Sequence, residues 1–312
     1  MRFATVNVLH SIAELAELPG PIFLAIGVFD GVHLGHRAVI EHALRAAETS
    51  GGTAAALTFD PHPAAILRPQ LAPALLTSTR HKLRLLAQLG VRHALVVTFD
   101  AGFAATPPEE FICRLAESAR PLRQICVGED WAFGKGRKGD LALLRRLGAA
   151  LGFDAIGLPA VAVDGTTVSS TVIRSAVEAG DLALAKRMIG RDFSVMGTVA
   201  EGKKLGRTLG FPTANLRPES EQLPPNGVYA VRVAIDGKSL DGIANIGIRP
   251  TVSPQATERV IEVHLFDFSG ELYGCDLEVT FLRFVRPEQK FPSLDALRCQ
   301  IASDVASVRT SR

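Results

Sequence analysis

The sequence contains no Cys-x-x-Cys pair, no apolar run of about 18 residues and no marked excess of charge of either sign. Its four cysteines are scattered, so the sequence predicts neither a zinc knuckle nor a disulfide framework, and thiols in a reducing compartment are expected. A membrane-spanning helix is not indicated. The formal net charge of +2, from 34 Lys+Arg against 32 Asp+Glu, argues against a nucleic-acid coat and leaves room for local basic pockets that bind phosphate.

The first residues do not have the pattern of a secretory signal. Glu14 and Glu17 precede the apolar stretch over residues 21–29, and no basic leader adjoins that stretch. We therefore expect a cytoplasmic protein with neither a membrane nor nucleic acid among its partners. The oligomeric state stays open at this level.

The first half of the chain alternates apolar, β-rich runs with segments of helical spacing. The runs that predict strands are residues 22–28, 53–59, 93–99, 124–127 and 155–158. The segments that predict helices are residues 37–48, 80–89 and 141–151. The phrase Thr-Pro-Pro-Glu over residues 106–109 predicts a further helix start with a capping box. This alternation is typical of a parallel sheet covered by helices, in which ligands bind beyond the carboxyl ends of the strands.

From residue 195 onward the pattern changes to strands and turns. Residues 228–235, 260–266 and 277–284 alternate in polarity or are dense in β-branched and aromatic residues, with Asn-Gly, Asp-Gly and Ser-Gly turn signals between them. Residues 292–308 predict one amphipathic helix. The sequence thus predicts an α/β domain over residues 1–186 and a small antiparallel β-barrel with a terminal helix over residues 187–312.

One phosphate-type motif stands at a predicted strand-to-helix turn, where Phe-Asp-Gly-Val-His-Leu-Gly-His occupies residues 29–36. A helix N-terminus offers free backbone N–H groups, and Gly35 lets a ligand approach the backbone closely. The imidazoles of His33 and His36 can donate hydrogen bonds to phosphate oxygens. A zinc pair or two packed histidines is the alternative, but zinc requires further ligands and no Cys or His cluster follows.

A second motif of this kind, Ser-Ser-Thr-Val-Ile-Arg, opens a predicted helix at residues 169–174. Hydroxyls and an arginine at a helix start suit phosphate, although an ordinary serine N-cap explains them better when they are taken alone.

Together the two motifs resemble the nucleotidylyltransferase superfamily, and the first is also similar to the signature of class I aminoacyl-tRNA synthetases. The phrases at residues 59–63 (Phe-Asp-Pro-His-Pro), 127–134 (Val-Gly-Glu-Asp-Trp-Ala-Phe-Gly) and 137–140 (Arg-Lys-Gly-Asp) narrow the resemblance. They resemble the FMN adenylyltransferase half of the prokaryotic bifunctional riboflavin kinase/FAD synthetase family, which implies a Rossmann-like nucleotidylyltransferase domain.

This resemblance implies roles for individual residues in the first half. Catalytic roles fall to His33 and His36. The residues expected to bind ATP are Gly27, Phe29, Asp30, Gly31, Gly35, Ser169, Ser170, Thr171 and Arg174. The residues expected to lie beside the flavin are Asp60, Pro61, Asp130, Trp131 and Phe133. Core packing is the alternative for Trp131 and Phe133.

Closely spaced glycines beside lysines over residues 202–210 suit a flexible loop over nucleotide phosphates. The sequence has no Walker A motif and no protein-kinase set, so on chemistry alone a glycine-rich hairpin is the alternative. The phrase Gly-Phe-Pro-Thr-Ala-Asn over residues 210–215, however, resembles the riboflavin kinase family, which is a six-stranded barrel. That resemblance implies that Thr213 and Asn215 hold Mg²⁺ and the ATP phosphates, and their neutral oxygens are consistent with a hard cation.

Further phrases of the same family follow in order, at residues 227–229, 244–251, 262–264, 272–274 and 286–291. They imply that Glu262 is the base that accepts the proton of the ribityl 5′-hydroxyl. The alternative is a surface glutamate on an alternating strand, whose opposite face, with Ile261 and Val263, packs on a core. The residues expected to contact ATP or flavin here are Gly202, Lys204, Gly206, Arg207, Gly210, Phe211, Pro212, Asn245 and Arg286.

The resemblance extends from about residue 23 to residue 304, with departures at Val28, Val172 and Lys203, where asparagine, arginine and aspartate are common. It implies that riboflavin and ATP give FMN and ADP in the barrel. FMN and a second ATP then give FAD and pyrophosphate in the α/β domain, with Mg²⁺ expected in both sites. One rival is a class I synthetase, but its Lys-Met-Ser-Lys-Ser segment is missing. The other rival is a flavin- or RNA-binding barrel attached to an inactive transferase. The catalytic residue types are present, which argues against this alternative.

Overall fold

The computed structural model describes residues 6–200, 210–219, 222–235, 237–250 and 257–310. The chain divides into two compact units: one contains residues 2–73 and 79–170, and the other contains residues 74–78 and 171–312. The first is termed the α/β unit and the second the barrel unit. Among the described helices, none has both the length and the hydropathy needed to cross a bilayer.

The α/β unit contains a six-stranded sheet with helices on both faces. Its sheet strands are β1 (Asn7–Leu9), β2 (Ile22–Ile26), β3 (Thr53–Asp60), β4 (His93–Thr98), β5 (Leu122–Gly128) and β6 (Asp154–Leu158). Its helices are α1 (Leu34–Thr49), α2 (Pro63–Leu67), α3 (Thr79–Gln88), α4 (Ala101–Ala104), α5 (Pro108–Ser118) and α6 (Leu141–Leu151), with short 3-10 turns at Ile12–Glu17, Pro69–Leu71 and Lys135–Arg137. A two-stranded hairpin of β7 (Ala162–Val163) and β8 (Thr166–Thr167) follows.

All neighbours in this sheet are parallel, in the order β1-β4-β3-β2-β5-β6. Strand β2 is buried along its whole length, because Leu24 packs in a cluster with α5 and α6 while Ala25 packs in a cluster with α1 and α3. After β2 the chain forms β3 and β4 on one side of that strand, and then crosses to form β5 on its other side. The carboxyl ends of β2 and β5 therefore form the switch point at which ligands bind in such sheets.

The start of helix α5 differs from the prediction. We expected a capping box from Thr106, but Pro107 occupies the N-cap position, Pro108 is the first helical residue, and no side chain caps the helix. Two consecutive prolines fix φ near −65° and move the boundary one residue onward. Thr106 is thereby left outside the helix, where its carbonyl accepts a hydrogen bond from the Lys135 backbone.

The barrel unit is a closed barrel of six antiparallel strands in the order β10-β13-β12-β11-β14-β9. Its strands are β9 (Ser194–Ala200), β10 (Ala214–Pro218), β11 (Gly227–Ile235), β12 (Lys238–Pro250), β13 (Thr257–Leu265) and β14 (Asp276–Arg286). Its helices are α7 (Ser170–Glu178), whose first residue ends the α/β unit, α8 (Leu182–Ile189) and α9 (Leu294–Thr310). The predicted fold class, a parallel α/β sheet followed by an antiparallel barrel with a terminal helix, is confirmed.

Barrel closure between β9 and β10 requires a glycine. A Cβ atom on Gly197 would lie 2.1 Å from the carbonyl oxygen of Arg217, so no larger residue fits without separating the strands. On the outside, Val308 of α9 packs in a cluster with Val228 and Phe266. The predicted boundary between residues 186 and 187 stays a prediction.

Candidate active sites

The turn between β2 and α1 brings the two motif histidines together. His33 is the N-cap of α1: the backbone N–H of His36 donates to its Nδ1 at 3.3 Å, and the side chain is 6% exposed. Because Nδ1 accepts this bond, the ring proton lies on Nε2. His33 therefore caps the helix through Nδ1 and keeps its ring proton on the other nitrogen.

The His36 ring stacks on His33 with 3.5 Å between centroids, and the edge of Phe29 packs against it. Burial, and then the neighbouring His33 and Lys82, hold the pKa of His36 well below its usual range, so the ring is neutral at pH 7. Its Nδ1 is buried and has no hydrogen-bond partner in the described part of the chain. A buried polar atom of this kind marks a position that a ligand can fill.

Backbone strain accompanies the same turn. Phe29 has φ of 54° and Val32 has φ of 40°, a region that is unfavourable for a β-branched residue. A Cβ on Gly27 would lie 2.6 Å from the Phe29 ring, and one on Gly35 would lie 3.2 Å from the His33 ring. The two glycines therefore make room for the rings that surround His36.

Two other predicted segments lie at the same edge of the sheet. Asp60 is the last residue of β3, and residues 129–134 directly follow β5. Trp131 stacks on Phe133 with 4.3 Å between centroids; Phe133 is buried in the core and Trp131 is half-buried. Core packing therefore accounts for Phe133, and the flavin contacts of both rings stay predictions.

The Ser-Ser-Thr segment meets the β2–α1 turn through one serine. Ser170 Oγ donates to the carbonyl oxygen of Asp30 at 3.0 Å, and Asp30 itself is buried. Within the barrel unit, Arg174 Nε donates to the carbonyl oxygen of Ala74 at 2.7 Å. Ser170 thus lies next to the first motif, and one Arg174 donor is engaged by the backbone, while the ATP contacts of both residues stay predictions.

In the barrel, three polar residues form a row across neighbouring strands. Glu262 of β13 lies directly opposite Asn215 of β10 on one side and Asn245 of β12 on the other. Residues directly opposite in antiparallel strands project from the same face. Ile261 and Val263 are buried on the other face, as the alternation predicted, and Glu262 is half-buried.

The segment before β10 packs against the same strand. His264 Nδ1 lies 2.9 Å from the carbonyl oxygen of Pro212, and its ring meets Phe211 edge to face at 5.5 Å. These contacts hold the Gly-Phe-Pro-Thr phrase next to the row of Asn215, Glu262 and Asn245. The predicted residues Gly202, Lys204, Gly206 and Arg207, and the departure at Lys203, lie outside the described residues.

A cavity of about 540 Å³ opens beside this segment. Pro212 and Thr213 line one side, the loop over residues 268–273 lines the other, and Val263 and Leu265 contribute apolar walls. A cavity with this size and a mainly apolar wall suits a small organic ligand.

Sequence reasoning missed one carboxylate near the row, and it singled out Arg286, whose contact with ATP or flavin stays a prediction. A Cβ on Gly247 would lie 2.8 Å from Glu288 Oε1 and 3.4 Å from Asn245 Nδ2, so the Glu288 carboxylate lies beside Asn245. Arg286 instead donates from Nε to both carboxylate oxygens of Asp304 on α9, at 3.1 and 2.9 Å. The family phrase over residues 286–291 pointed to this region of the chain. It did not show which of its charged side chains lies beside the row of Asn215, Glu262 and Asn245.

The donor set fits a divalent cation in the barrel. No cluster of three or more His, Cys, Asp or Glu residues that could hold a metal occurs within the described ranges. Thr213 and Asn215 nevertheless offer neutral oxygens, and the Glu262 carboxylate lies opposite Asn215. The two neutral oxygens suit Mg²⁺, which takes its remaining ligands from water and phosphate, and the Mg²⁺ site stays a prediction.

Two family models match the chain in tandem: an FAD synthetase model covers residues 16–172 and a riboflavin kinase model covers residues 189–312. The fold and the matches together define a two-part flavin nucleotide transferase. The bifunctional riboflavin kinase/FMN adenylyltransferase of Escherichia coli (strain K12) is 40% identical over 305 residues, covering 97% of both chains. That of Bacillus subtilis (strain 168) is 35% identical, covering 96% of this chain and 95% of its own.

A solved structure is also similar over nearly the whole chain. It is titled as a macrolide-efflux protein from Streptococcus pneumoniae, is 27% identical, and has a TM-score of 0.80 over 97% of this chain and 98% of its own. The family models and the curated relatives agree with each other in both halves. The chain therefore belongs to the bifunctional riboflavin kinase/FMN adenylyltransferase family.

Proposed function

We propose that the two activities of this bifunctional riboflavin kinase and FMN adenylyltransferase are divided between its two units. ATP is the co-substrate of both. Riboflavin is phosphorylated at the barrel, and FMN is adenylylated at the carboxyl edge of the parallel sheet. The observation that carries this division is the placement of the histidine pair in one unit and of the Asn215–Glu262–Asn245 row in the other.

At the barrel, Glu262 acts as the general base. Its carboxylate accepts the proton of the ribityl 5′-hydroxyl as that oxygen forms a bond to the γ-phosphorus of ATP. The bond from the γ-phosphorus to the bridging oxygen breaks, and ADP leaves. Thr213 and Asn215 would hold Mg²⁺, which supplies charge neutralisation for the phosphates when it is bound.

The barrel carries its own support for this role of Glu262. Two asparagines lie directly opposite the glutamate on neighbouring strands, and its half-buried side chain keeps access to a ligand. A surface glutamate in solvent would not require polar residues directly opposite it on both neighbouring strands.

At the sheet edge, an FMN phosphate oxygen attacks the α-phosphorus of ATP. The new oxygen–phosphorus bond forms as the bond to the β-phosphate bridge breaks, giving FAD and pyrophosphate. The phosphate nucleophile is already an anion, so the site has to position the reactants and stabilise charge. His33, through Nε2–H, and neutral His36 supply donors there, next to the N-terminus of α1.

The remaining assignments of the sequence belong to the same proposal. They comprise the ATP contacts at the β2–α1 turn and at residues 169–174, the flavin contacts at Asp60 and Trp131, and Mg²⁺ at both sites. A cytoplasmic location completes the proposal.

Incubation of the purified protein with riboflavin, ATP and Mg²⁺, followed by chromatography of the flavins, tests the whole route. FMN is expected first and FAD second, and FMN supplied alone with ATP is expected to give FAD. Accumulation of neither product would contradict the proposal. FMN without FAD would contradict only its α/β half.

A further inference from the structure

Lys82 of α3 is a buried lysine that no motif of the sequence singled out. Its side chain is 4% exposed, and Nζ donates to Thr58 Oγ1 at 3.1 Å. Thr58 is fully buried and donates in turn to the carbonyl oxygen of Val28 at 2.8 Å. Lysine is almost never buried this deeply unless it has partners that compensate its charge. The chain of contacts from α3 thus ends at the residue before the strained Phe29.

Asp30, Asp60 and His36 interact electrostatically with Lys82 and lie at the carboxyl edge of the sheet, and the buried His81 is adjacent to it on α3. Burial lowers the pKa of Lys82 to about 8, and the carboxylates of Asp30 and Asp60 act against that lowering. Asp30 lies in the β2–α1 turn and is 2% exposed, and Asp60 ends β3. At pH 7 the side chain is therefore a buried cation that faces a buried carboxylate.

The same cation also acts on His36. Burial, His33 and then Lys82 lower the pKa of the His36 imidazole. Protonation of His36 would place two positive charges close together in a region from which water is excluded. Lys82 therefore favours the neutral ring whose Nδ1 has no partner in the described structure.

We propose that Lys82 is a positioning residue of the adenylyltransferase site, which through Thr58 fixes the backbone at Val28, at the start of the β2–α1 turn, against β3. This proposal rests on the assignment of FMN adenylylation to the α/β unit. Replacement of a purely structural lysine would lower stability and affect both activities alike, and it would leave the pH profile of adenylylation unchanged.

Three substitutions separate the functions of this side chain. Lys82→Met removes the charge and the hydrogen bond, Lys82→Gln removes the charge and keeps a donor for Thr58, and Lys82→Arg keeps a cation. Each is compared with the full-length wild type for kcat and KM of FMN adenylylation from about pH 5 to about pH 9. Riboflavin phosphorylation is measured in the same samples as the internal control.

Lys82→Met is expected to lower kcat of adenylylation about 10²-fold, because a misplaced turn disturbs the alignment of the reacting groups. Both Met and Gln variants are expected to move the acid limb of the profile to higher pH, since His36 loses a positive neighbour. In the wild type, kcat is expected to fall as the pH rises through about 8, where Lys82 loses its proton. This alkaline limb of the profile should be absent from both variants. Lys82→Arg should recover most of kcat, and its alkaline limb should also disappear because arginine stays protonated.

Wild-type kcat and an unshifted profile in Lys82→Gln would overturn the proposal, and this outcome decides the matter even where Lys82→Met fails to fold. Wild-type protein that makes no FAD from FMN would instead overturn the assignment of the α/β unit. Equal loss of both activities in Met and Gln variants, with full activity in Lys82→Arg and unchanged pH limits in all of them, would show a structural role only.

Discussion

Glu262 lies between Asn215 and Asn245, each directly opposite it on a neighbouring strand. Glu262→Gln keeps the size and hydrogen-bonding shape of the side chain but removes its capacity to accept a proton. Riboflavin phosphorylation is therefore expected to fall by about 10²–10⁴ in turnover. FMN adenylylation and the melting temperature are expected to stay at the wild-type level, as measured in separate half-reaction assays and by thermal unfolding.

Glu288→Gln is the matched control, because this carboxylate also lies beside Asn245. Its loss should be clearly smaller than that of Glu262→Gln. The reverse order would assign the base to Glu288, and near-wild-type activity in both variants would leave neither carboxylate as the base. Loss of both half-reactions together would indicate a folding defect.

His33 and His36 belong to the other half-reaction. Replacement of both with alanine is expected to abolish FAD formation from FMN and to spare FMN formation from riboflavin. Because His33 caps α1, His33→Ala should also destabilise the α/β unit by about 1 kcal/mol.

His33→Asn separates these two effects, since asparagine is a good N-cap and lacks the imidazole. Normal unfolding in urea with strongly reduced adenylylation is expected for this variant. Adenylylation close to the wild-type rate in the double alanine variant would refute the assignment of the histidines.

Sequence alone could identify residues that lie close together in the chain and form one local structure. His33, Gly35 and His36 are close in the chain and follow a strand, so the turn that holds them was predictable, whereas their chemistry stays a prediction. Lys82 was not predictable, because a lone lysine within a helix of alternating polarity is normally solvated. The Arg286–Asp304 pair joins residues 18 positions apart, a contact that only the packing of α9 on the barrel creates.

At the scale of single elements, Asp140 shows how a family phrase can serve the fold. Its carboxylate accepts from the Leu143 backbone N–H at 2.8 Å and caps α6. Asp140→Ala is expected to lower the free energy of unfolding by about 1 kcal/mol. Asp140→Asn should restore most of it, and FAD formation should change little in either variant. A loss of FAD formation without a loss of stability in urea unfolding would show instead that the carboxylate contacts a ligand.

Elements such as β3, β11 and α1 were predictable because their pattern is strong over several turns or pleats. The strands β1, β7 and β8, of two or three residues each, are too short to show any period. The long β12 was not predicted either, since Gly242 and Gly247 interrupt its apolar pattern. Its glycines are explained by close approaches: a Cβ on Gly242 would lie 2.3 Å from the carbonyl oxygen of His264.

At the scale of the whole molecule, the change of pattern near residue 186 predicts that residues 187–312 fold alone. This fragment is expected to phosphorylate riboflavin and to make no FAD, as checked by circular dichroism and flavin chromatography. The fragment 171–312, which keeps α7 and α8, is the matched control because these helices group with the barrel.

If the longer fragment folds and the shorter one does not, the functional boundary moves to the start of α7. Two folded fragments without kinase activity would mean that the kinase site requires residues outside both fragments, either residues 74–78 of the barrel unit or residues of the α/β unit.

The distribution of aromatic residues between the two units has a practical consequence. The chain has one tryptophan, Trp131, which stacks on Phe133 in the α/β unit, and its two tyrosines, Tyr229 and Tyr273, are both in the barrel unit. Indole emission excited at the red edge of the aromatic absorption therefore originates from the α/β unit alone. A titration followed at that wavelength observes one half of a two-step enzyme inside the intact chain, with no label and no truncation.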